Sequence, residues 1–310
     1  MDGPSLHDRL RGGLYGLLVG DALGVPYEFH PPEEIPRRDR IEMTPPPGFD
    51  RSHRVARPGT WSDDGAQALC LLESLLERGR LDVIDFAARL LAWADRGHLA
   101  VDGVVFDIGI QTAEALRRLR SGVSPEVSGA GDEWSNGNGS LMRVLPLALW
   151  HTGTDDALVR DAYAQSAITH GHAQSRVCCA LYVLWARRIL EGRGDPWREA
   201  VVTMRELTRP GTEERVAMGV LDPERIAVGR GSGYVVDTLR SAAALAHLRY
   251  EDAVREAIAL GEDTDTTACV VGGIAGIRWG ETSIPLRWRD VLLGQETVEP
   301  LLQRLRATRE

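Results

Sequence analysis

Cysteine is scarce in this 310-residue sequence: it occurs at only four positions, 70, 178, 179 and 269, and never as a CxxC pair. The adjacent residues Cys178 and Cys179 are a poor basis for a disulfide framework, which argues against a small disulfide-stabilised secreted protein. We therefore expect reduced thiols packed on the helices of a cytosolic protein.

Long apolar runs are also absent. The longest run, 268–277, is half glycine and alanine and is much shorter than a membrane span. The N-terminal segment MDGPSLHDRLRGG carries acidic and basic residues where the apolar part of a signal peptide would have to lie. These absences predict a soluble, cytoplasmic protein with no membrane partner.

Positive charge is in deficit. There are 36 Lys and Arg residues against 45 Asp and Glu residues, which gives a formal net charge of −9. A dedicated surface for nucleic acid or anionic membranes needs a basic face, so neither partner is expected. A phosphate-bearing substrate remains compatible with this charge, because bound metal cations supply positive charge locally. The composition leaves the oligomeric state open.

The sequence does contain strong helical periodicity. Apolar residues recur at three- and four-residue spacing in seven segments, and glycines follow five of them, as helix C-terminal glycines do. The segments are 66–78, 83–95, 108–120, 155–168, 173–191, 235–248 and 252–260. Alternating strand patterns are scarce, so the periodicity predicts an all-α fold.

Three irregular stretches interrupt the helices. They are 30–60, rich in Pro and Arg, 121–139, rich in Gly and Ser, and 209–234. None of them separates two halves of different composition, and no internal repeat is evident. We therefore expect one domain over residues 1–310, with a functional site carried by its long loops.

Two acidic motifs stand directly before helices: WSDDG at 61–65 and EDTDTT at 262–267. Acids at a helix N-terminus often serve only as caps, and capping explains either motif taken alone. Each motif, however, has more acids than a cap needs, and residues at a helix start can converge their oxygens on one point. Carboxylate and hydroxyl oxygens suit Mg²⁺, Mn²⁺ or Ca²⁺ rather than Zn²⁺. If the two helix starts meet, four carboxylates would face one another and would require cations.

Seven motifs, in order, resemble the ADP-ribosylglycohydrolase family over nearly the whole chain. They are GLLVGDALGVPYE at 16–28, GTWSDDGAQALCLLESLL at 59–76, FDIGIQT at 106–112, GNGSLMR at 137–143, ITH at 168–170, GSGYVVDTL at 231–239 and LGEDTDTTACVVGGIAG at 260–276. The resemblance implies an orthogonal multi-helix bundle with two Mg²⁺ ions, with Mn²⁺ as the alternative. The implied metal ligands are Ser62, Asp63, Asp64, Asp263, Asp265 and Thr266. Ser62 and Gly65 depart from the family's TDDT core: the serine keeps a hydroxyl, and the glycine is expected to loosen the first helical turn.

The resemblance also implies a catalytic carboxylate, and two residues match family positions. Asp107 in FDIG ranks first, because this pattern resembles the arginine-directed members, and Glu28 in VPYE ranks second. A carboxylate can protonate the leaving group or activate the attacking water. The residues alone leave plainer roles open. Asp107 would be the N-cap of helix 108–120, and Glu28 would be a loop carboxylate or a contact to metal-bound water.

Two glycine loops, GNGSLMR at 137–143 and GRGSGY at 229–234, allow backbone N–H groups to approach a pyrophosphate, although tight turns explain isolated glycines equally well. Ten residues are expected to contact substrate. They are Gly137, Asn138, Gly139, Ser140, Met142, His170, Gly231, Ser232, Gly233 and Tyr234. His170 has the alternative of a satisfied interior histidine. Arg143 either pairs with phosphate or serves as internal scaffolding.

The implied function is hydrolytic removal of ADP-ribose from a modified acceptor, foremost arginine, at the anomeric carbon of the distal ribose. The partner is then an ADP-ribosylated protein or a small ADP-ribosyl compound. O-linked serine, modified nucleic acid and small metabolites stay open as acceptors, because the shapes of loops 30–60 and 121–135 decide the choice. Two other classes also stay open: a non-catalytic ADP-ribose-binding protein and a metallohydrolase of phosphate esters.

Overall fold

The computed structural model describes residues 3–309, and α-helices dominate this part of the chain. The helices are α1 (Leu6–Gly24), α2 (Asp63–Arg78), α3 (Val83–Arg96), α4 (Ile110–Arg120), α5 (Leu145–Trp150), α6 (Asp155–Ala167), α7 (Ala173–Leu190), α8 (Pro196–Leu207), α9 (Glu213–Leu221), α10 (Val235–Leu245), α11 (Tyr250–Ile258), α12 (Thr264–Trp279), α13 (Leu286–Arg289) and α14 (Gln295–Ala307). Within residues 3–309, β-type pairing is confined to two isolated bridges, Ala130–His170 and Gly137–Tyr234. The prediction of an all-α multi-helix bundle is confirmed.

Local chemistry sets the helix ends that the periodicity placed approximately. The Ser62 hydroxyl caps α2 by accepting the Asp64 N–H, and Gly79 ends the same helix with a left-handed φ of 62°. The stretch 209–234 was expected to be irregular throughout, and this is wrong. It contains α9, which begins where the Thr212 side chain accepts the N–H of Arg215.

The cysteines agree with the sequence analysis. All four cysteines are free and buried. Across residues 3–309, no helix is both long enough and apolar enough to cross a membrane. The cytoplasmic location stays a prediction.

Helices α1 and α12 pack against each other through a small-residue stripe. The stripe consists of Gly12, Gly16, Gly20 and Gly24 on α1 and Ala268, Gly272 and Gly276 on α12. A Cβ atom on Gly276 would lie 1.9 Å from the carbonyl oxygen of Gly12, and one on Gly16 would lie 2.4 Å from that of Gly272. Main chain therefore meets main chain along the stripe. A Cβ on Gly24 would lie 2.4 Å from the Cα of Asp265, so the stripe brings the end of α1 to the start of α12.

Gly276→Ala is expected to destabilise the fold by about 1–3 kcal/mol, as overpacking typically does, because the added methyl group meets backbone that cannot turn aside. Gly219→Ala is the matched control. Gly219 lies in α9 with open space around its Cβ position, so alanine should leave stability unchanged or raise it by up to about 1 kcal/mol. Urea unfolding measures the difference, and equal stability of the two variants would contradict this packing.

His151, between α5 and α6, is held as a neutral imidazole next to two arginines. Its Nδ1 atom accepts the Gly153 N–H at 3.1 Å and an N–H of Arg187 at 2.7 Å, so the ring proton is on Nε2. Burial, followed by the charges of Arg187 and Arg309, lowers the pKa of His151 to about 4. This histidine therefore resists protonation in the folded protein.

Because of His151, we expect the folded protein to lose stability as the pH is lowered below about 6.5. From there to about pH 4 the unfolded chain takes up a proton that the folded protein refuses, so the free energy of unfolding decreases as pH falls. One such group contributes at most about 1.4 kcal/mol per pH unit. His151→Asn should flatten the decline in urea unfolding measured across this range, whereas His247→Asn, at an exposed position, should not. A wild-type slope in His151→Asn would contradict the assignment.

Candidate functional site

The two acidic motifs meet at the starts of α2 and α12. The Thr266 hydroxyl donates to Asp64 Oδ1 at 3.1 Å. Asp64 and Asp265 place carboxylate oxygens within 4.8 Å of each other, and both residues are fully buried. Capping of two separate helices does not describe this arrangement, because the acids face one another across a helix junction.

Asp21, near the end of α1, belongs to the same junction. Its carboxylate accepts the N–H of Ser62 at 2.9 Å and the N–H of Gly65 at 2.8 Å, so a side chain of α1 holds the start of α2. Burial raises the pKa of Asp21 to about 7. The sequence analysis did not predict Asp21 as a site residue, although an acid within the apolar, glycine-rich GDALG helix was an available signal.

Gly65 has a packing role beyond the loosening expected of it. A Cβ atom at this position would lie 2.8 Å from side-chain atoms of both Leu18 and Trp61. Glycine therefore permits the close approach of α2 to α1 that the hydrogen bond from its N–H to Asp21 requires.

Asp21, Asp64 and Asp265 form what we call the inner acid cluster, with one oxygen of each within 4.8 Å of the others. Burial and the neighbouring acids raise the pKa of Asp64 and of Asp265 well above the ordinary range. Asp265 Oδ2 is buried and accepts no hydrogen bond within the described chain. Converging buried carboxylate oxygens of this kind are what a divalent cation prefers as ligands.

Glu28, Asp263 and Asp265 form an outer acid cluster, so Asp265 belongs to both. Glu28 follows a short 3₁₀ turn after α1, and burial, followed by the charges of Asp107 and Asp263, raises its pKa to about 11. Asn138, from the first glycine loop, donates through Nδ2 to Asp263 Oδ2 at 2.8 Å. The two adjoining clusters could hold cations side by side.

His53 connects the two candidate catalytic carboxylates. Its Nε2 atom contacts Glu28 Oε2 and lies 3.9 Å from Asp107 Oδ1. Burial raises the pKa of Asp107, against the opposing effect of His53. Burial lowers the pKa of His53, because it disfavours the charged form of either group. No sequence signal identified His53, because it is a lone histidine in the irregular stretch 30–60.

Several non-glycine residues around these acids have left-handed backbone. Phe29, His53, Asp107 and Glu262 have φ angles of 64°, 48°, 56° and 58°. Such conformations cost of order 1–3 kcal/mol each and persist where surrounding contacts over-determine them. The Phe29 N–H, for example, donates to the Glu262 carbonyl at 2.7 Å. The site therefore holds strained backbone in place.

The structure also excludes one interpretation of Asp107. Helix α4 begins at Ile110 with Gly109 as its N-cap residue, so the interpretation of Asp107 as the N-cap of helix 108–120 is wrong. At Asp107 the chain bends before the helix begins, and the carboxylate joins Glu28 and His53 within 4.8 Å.

The acids open onto a cleft of about 490 Å³. Of the predicted site residues, those that line it are Glu28, Asp63, Asp107, Gly137, Asn138, Gly139, Met142, His170, Gly233, Asp263 and Thr266. Phe29, Ile110 and Trp134 also line it and are largely exposed, at 66 %, 88 % and 86 %. These three apolar residues were not predicted: Phe29 and Trp134 lie in loops, where single apolar residues follow no periodicity, and Ile110 begins α4 with its side chain exposed.

The chain matches the family model for ADP-ribosylglycohydrolase over residues 2–310. The chain belongs to the ADP-ribosylglycohydrolase family. It is 31 % identical over 301 residues to ADP-ribosylarginine hydrolase Tri1 of Serratia proteamaculans, which covers 96 % of this chain and 79 % of the relative. It is 30 % identical over 291 residues to the ADP-ribosyl-dinitrogen-reductase glycohydrolase of Rhodospirillum rubrum, with 93 % and 91 % covered. A solved ADP-ribosylglycohydrolase-related protein complex shares 32 % identity and a TM-score of 0.77, with 98 % and 99 % covered.

Family membership confirms the prediction that the protein is an enzyme acting on glycosyl bonds. It also explains why motifs in the family's order occur together with an all-helical fold. The roles of individual residues in the ADP-ribosylglycohydrolase site stay predictions, and the geometry shows which of them are in position to act.

Four of the residues that were predicted to contact substrate lie outside the lining of the cleft. They are Ser140, Gly231, Ser232 and Tyr234. The Ser140 hydroxyl is buried 2.8 Å from Ser166 Oγ, and the Tyr234 hydroxyl donates to Gln174 Oε1 at 2.7 Å. Both hydroxyls are engaged within the protein, and contact of these residues with substrate stays a prediction.

The two glycine loops of the glycohydrolase pair with each other at the cleft wall. The Asn138 N–H donates to the Gly233 carbonyl at 3.1 Å, and the Gly137 N–H donates to Gln111 Oε1 at 2.8 Å. These two N–H groups are therefore engaged within the protein. Any approach of backbone N–H groups to a pyrophosphate must come from other positions of the loops.

The remaining predicted metal ligand, Asp63, is oriented from within the protein. Asp63 lines the cleft, and its Oδ2 atom accepts from Gln67 Nε2 at 3.1 Å. Gln67 Oε1 in turn accepts from Arg143 at 2.7 Å. Arg143 is fully buried, so of its two open roles the structure supports internal scaffolding rather than direct pairing with phosphate.

Proposed function

We propose that the protein is a metal-dependent hydrolase that releases ADP-ribose from arginine side chains. The observation that carries the proposal is the junction of two buried acid clusters, sharing Asp265, beneath a cleft walled by glycine loops. Two relatives at 31 % and 32 % identity are named ADP-ribosylarginine hydrolases, which supports the arginine linkage.

The residues at the junction fit two divalent cations, Mg²⁺ with Mn²⁺ as the alternative. Asp265 Oδ2 is buried without a hydrogen-bond donor, and a cation would relieve the repulsion that raises the pKa of its neighbours. Asp21 already accepts backbone N–H groups through both oxygens and would orient the site. The residues that would hold the ions are Ser62, Asp63, Asp64, Asp263, Asp265 and Thr266. When bound, the ions would supply Lewis-acid contacts to the hydroxyls of the distal ribose.

We assign the proton chemistry to Asp107 first and to Glu28 second. Hydrolysis breaks the bond from the anomeric carbon to the guanidine nitrogen and forms a bond from that carbon to a water oxygen. One proton leaves the water and one reaches the departing nitrogen, so a carboxylate that can both hold and give a proton serves the reaction. The Asp107 side chain is 23 % exposed at the cleft, whereas Glu28 is 6 % exposed and contacts His53. Asp107 is therefore better placed to touch the leaving group.

The cleft wall also suits a guanidinium as the leaving group. A planar cation is favoured between carboxylates and an aromatic face. Phe29, largely exposed, directly follows Glu28 and lines the same cleft as Asp107. A neutral serine acceptor carries no positive charge for these carboxylates and this ring to attract.

A substrate panel tests the proposal. ADP-ribosyl-arginine, ADP-ribosyl-serine and an ADP-ribosylated oligonucleotide are incubated with the enzyme in Mg²⁺ and in chelator, and released ADP-ribose is quantified. We expect Mg²⁺-dependent release from the arginine conjugate at the highest rate. Faster release from serine or nucleic acid would overturn the acceptor assignment.

The same panel distinguishes the other classes. Tight binding of ADP-ribose with no release from any conjugate would indicate a binding protein. Release of phosphate from a phosphate ester without free ADP-ribose would indicate a phosphate-ester hydrolase, and equal rates in chelator would overturn the metal dependence.

A further inference from the structure

Arg143 is a fully buried cation that forms no ion pair with any acid in residues 3–309. Its guanidinium lies over the Phe86 ring, 5.3 Å from the centroid. It donates to Gln67 Oε1 and Thr169 Oγ1, each at 2.7 Å, and to the side chain and carbonyl of Gln165 at 3.2 and 3.0 Å. A buried charge is costly unless hydrogen bonds satisfy it. The same hydrogen bonds hold the partners of Arg143, which are Gln67, Thr169 and Gln165, in fixed orientations.

Thr169 links Arg143 to a residue of the cleft. Thr169 Oγ1 accepts from Arg143 and lies 2.8 Å from His170 Nδ1. Arginine only donates, and Thr169 Oγ1 has no further hydrogen-bond partner in the described chain. A buried hydroxyl keeps its proton satisfied, so the Thr169 O–H donates to His170 Nδ1.

The direction of this bond determines the tautomer of His170. Burial, followed by the charge of Arg143, lowers the pKa of His170 to about 3, so the ring is neutral near pH 7. With Nδ1 accepting, the single ring proton is on Nε2. His170 lines the cleft, and its Nε2 atom lies 3.5 Å from the Cβ position of Gly137.

We propose that Arg143 is a positioning residue that acts through Thr169 to present His170 as an Nε2–H donor toward an oxygen of the bound ADP-ribose. An Nε2 lone pair in that place would repel a phosphate oxygen, whereas an N–H attracts it. The identity of the bound group rests on the proposed function. The tautomer rests on the hydrogen bonds alone.

Nitrogen NMR of histidine-labelled protein near pH 7 tests the tautomer without any ligand. We expect the wild-type spectrum to show His170 protonated at Nε2 and bare at Nδ1. Thr169→Val removes the hydroxyl and should convert His170 wholly or partly to the other tautomer, while Thr169→Ser should restore the wild-type signature. A wild-type His170 protonated at Nδ1, or an unchanged tautomer in Thr169→Val, would overturn the proposal.

Calorimetric titration with free ADP-ribose in Mg²⁺ supplies the functional readout. Thr169→Val should bind about five- to tenfold more weakly, the loss expected for one hydrogen bond, and Thr169→Ser should bind as wild type does. Thr208→Val is the matched control. Thr208 is 5 % exposed and its hydroxyl donates to the Met204 carbonyl at 2.8 Å, so the same chemical change there should leave both readouts unmoved.

The outcomes separate this inference from the proposed function. Absence of ADP-ribose binding in wild type would count against the function while the NMR result still decides the tautomer. Equal affinity losses in Thr169→Val and Thr208→Val would reduce Thr169 to a structural role. Arg143→Gln should give mixed tautomers, and if that variant does not fold, the Thr169 pair still decides the question.

Discussion

Replacing Asp107 by asparagine is expected to lower turnover of ADP-ribosyl-arginine by about 10²- to 10⁴-fold, the contribution of a positioned acid–base group. Asparagine has nearly the same shape as aspartate and tolerates the left-handed φ of 56° at this position, so the bend before α4 should survive. Alanine would add backbone strain to the loss of the carboxylate. Binding of ADP-ribose and of Mg²⁺ should stay within a few-fold of wild type, because other residues are proposed to supply it.

Asp102→Asn is the matched control for this experiment. Asp102 is also left-handed, with a φ of 54°, but its side chain is 57 % exposed and pairs with Arg57 rather than lining the cleft. Steady-state kinetics should therefore be unchanged in this variant. An unchanged kcat in Asp107→Asn would remove Asp107 from the mechanism and transfer the assignment to Glu28.

Asp265→Asn is expected to abolish activity and cation-dependent stabilisation together, because Asp265 belongs to both acid clusters. A cation that binds only the folded wild type, at a hundred times its Kd, raises the free energy of unfolding by about 2.7 kcal/mol, and the variant should gain little. In chelator the order of stability of wild type and variant should reverse. Removing one charge relieves the repulsion among buried acids, so the variant should then have the higher Tm.

Asp252→Asn is the control that separates a cation site from helix capping. Asp252 is an exposed acid in the first turn of α11, so its loss should cost about 0.3–1 kcal/mol of helix stability and leave the response to Mg²⁺ intact. Thermal unfolding of all three proteins in Mg²⁺ and in chelator gives the comparison. If Asp265→Asn lost stability in both buffers and kept the Mg²⁺ shift, the acids would be caps and the metal proposal would fail.

Apolar periodicity and terminal glycines are local properties, so the sequence predicted the helices that carry them, which are α2, α3, α4, α6, α7, α10 and α11. The helices α5, α8, α9, α13 and α14 were not predicted. The sequence also predicted that the motifs before α2 and α12 carry more acid than capping needs. Local patterns do not show what lies across a tertiary contact. Asp21 reaches Ser62 and Gly65 only because α1 packs on α2, so its place in the site could not be predicted from local pattern, although an acid in an apolar helix was a signal that it has a role.

Loop residues were the hardest to predict. His53 belongs to the site because an irregular loop folds back onto Glu28, and a lone histidine in such a loop carries no pattern. Asp107 was assigned an ordinary alternative role as a helix cap because the left-handed bend at that residue has no signature in composition. Backbone strain of this kind is a tertiary property, and it concentrates at functional sites.

Backbone contact runs from Gly12 and Gly276 down to Gly24 and Asp265. It therefore sets the separation of the two helix ends that carry acids. No side chain separates the two backbones along this contact, so main chain alone sets how closely the end of α1 that carries Asp21 approaches the start of α12 that carries Asp265. Loops 30–60 and 121–139 are not part of this contact between α1 and α12. Sequence change in those loops therefore leaves the junction of the two acid-bearing helix ends in place.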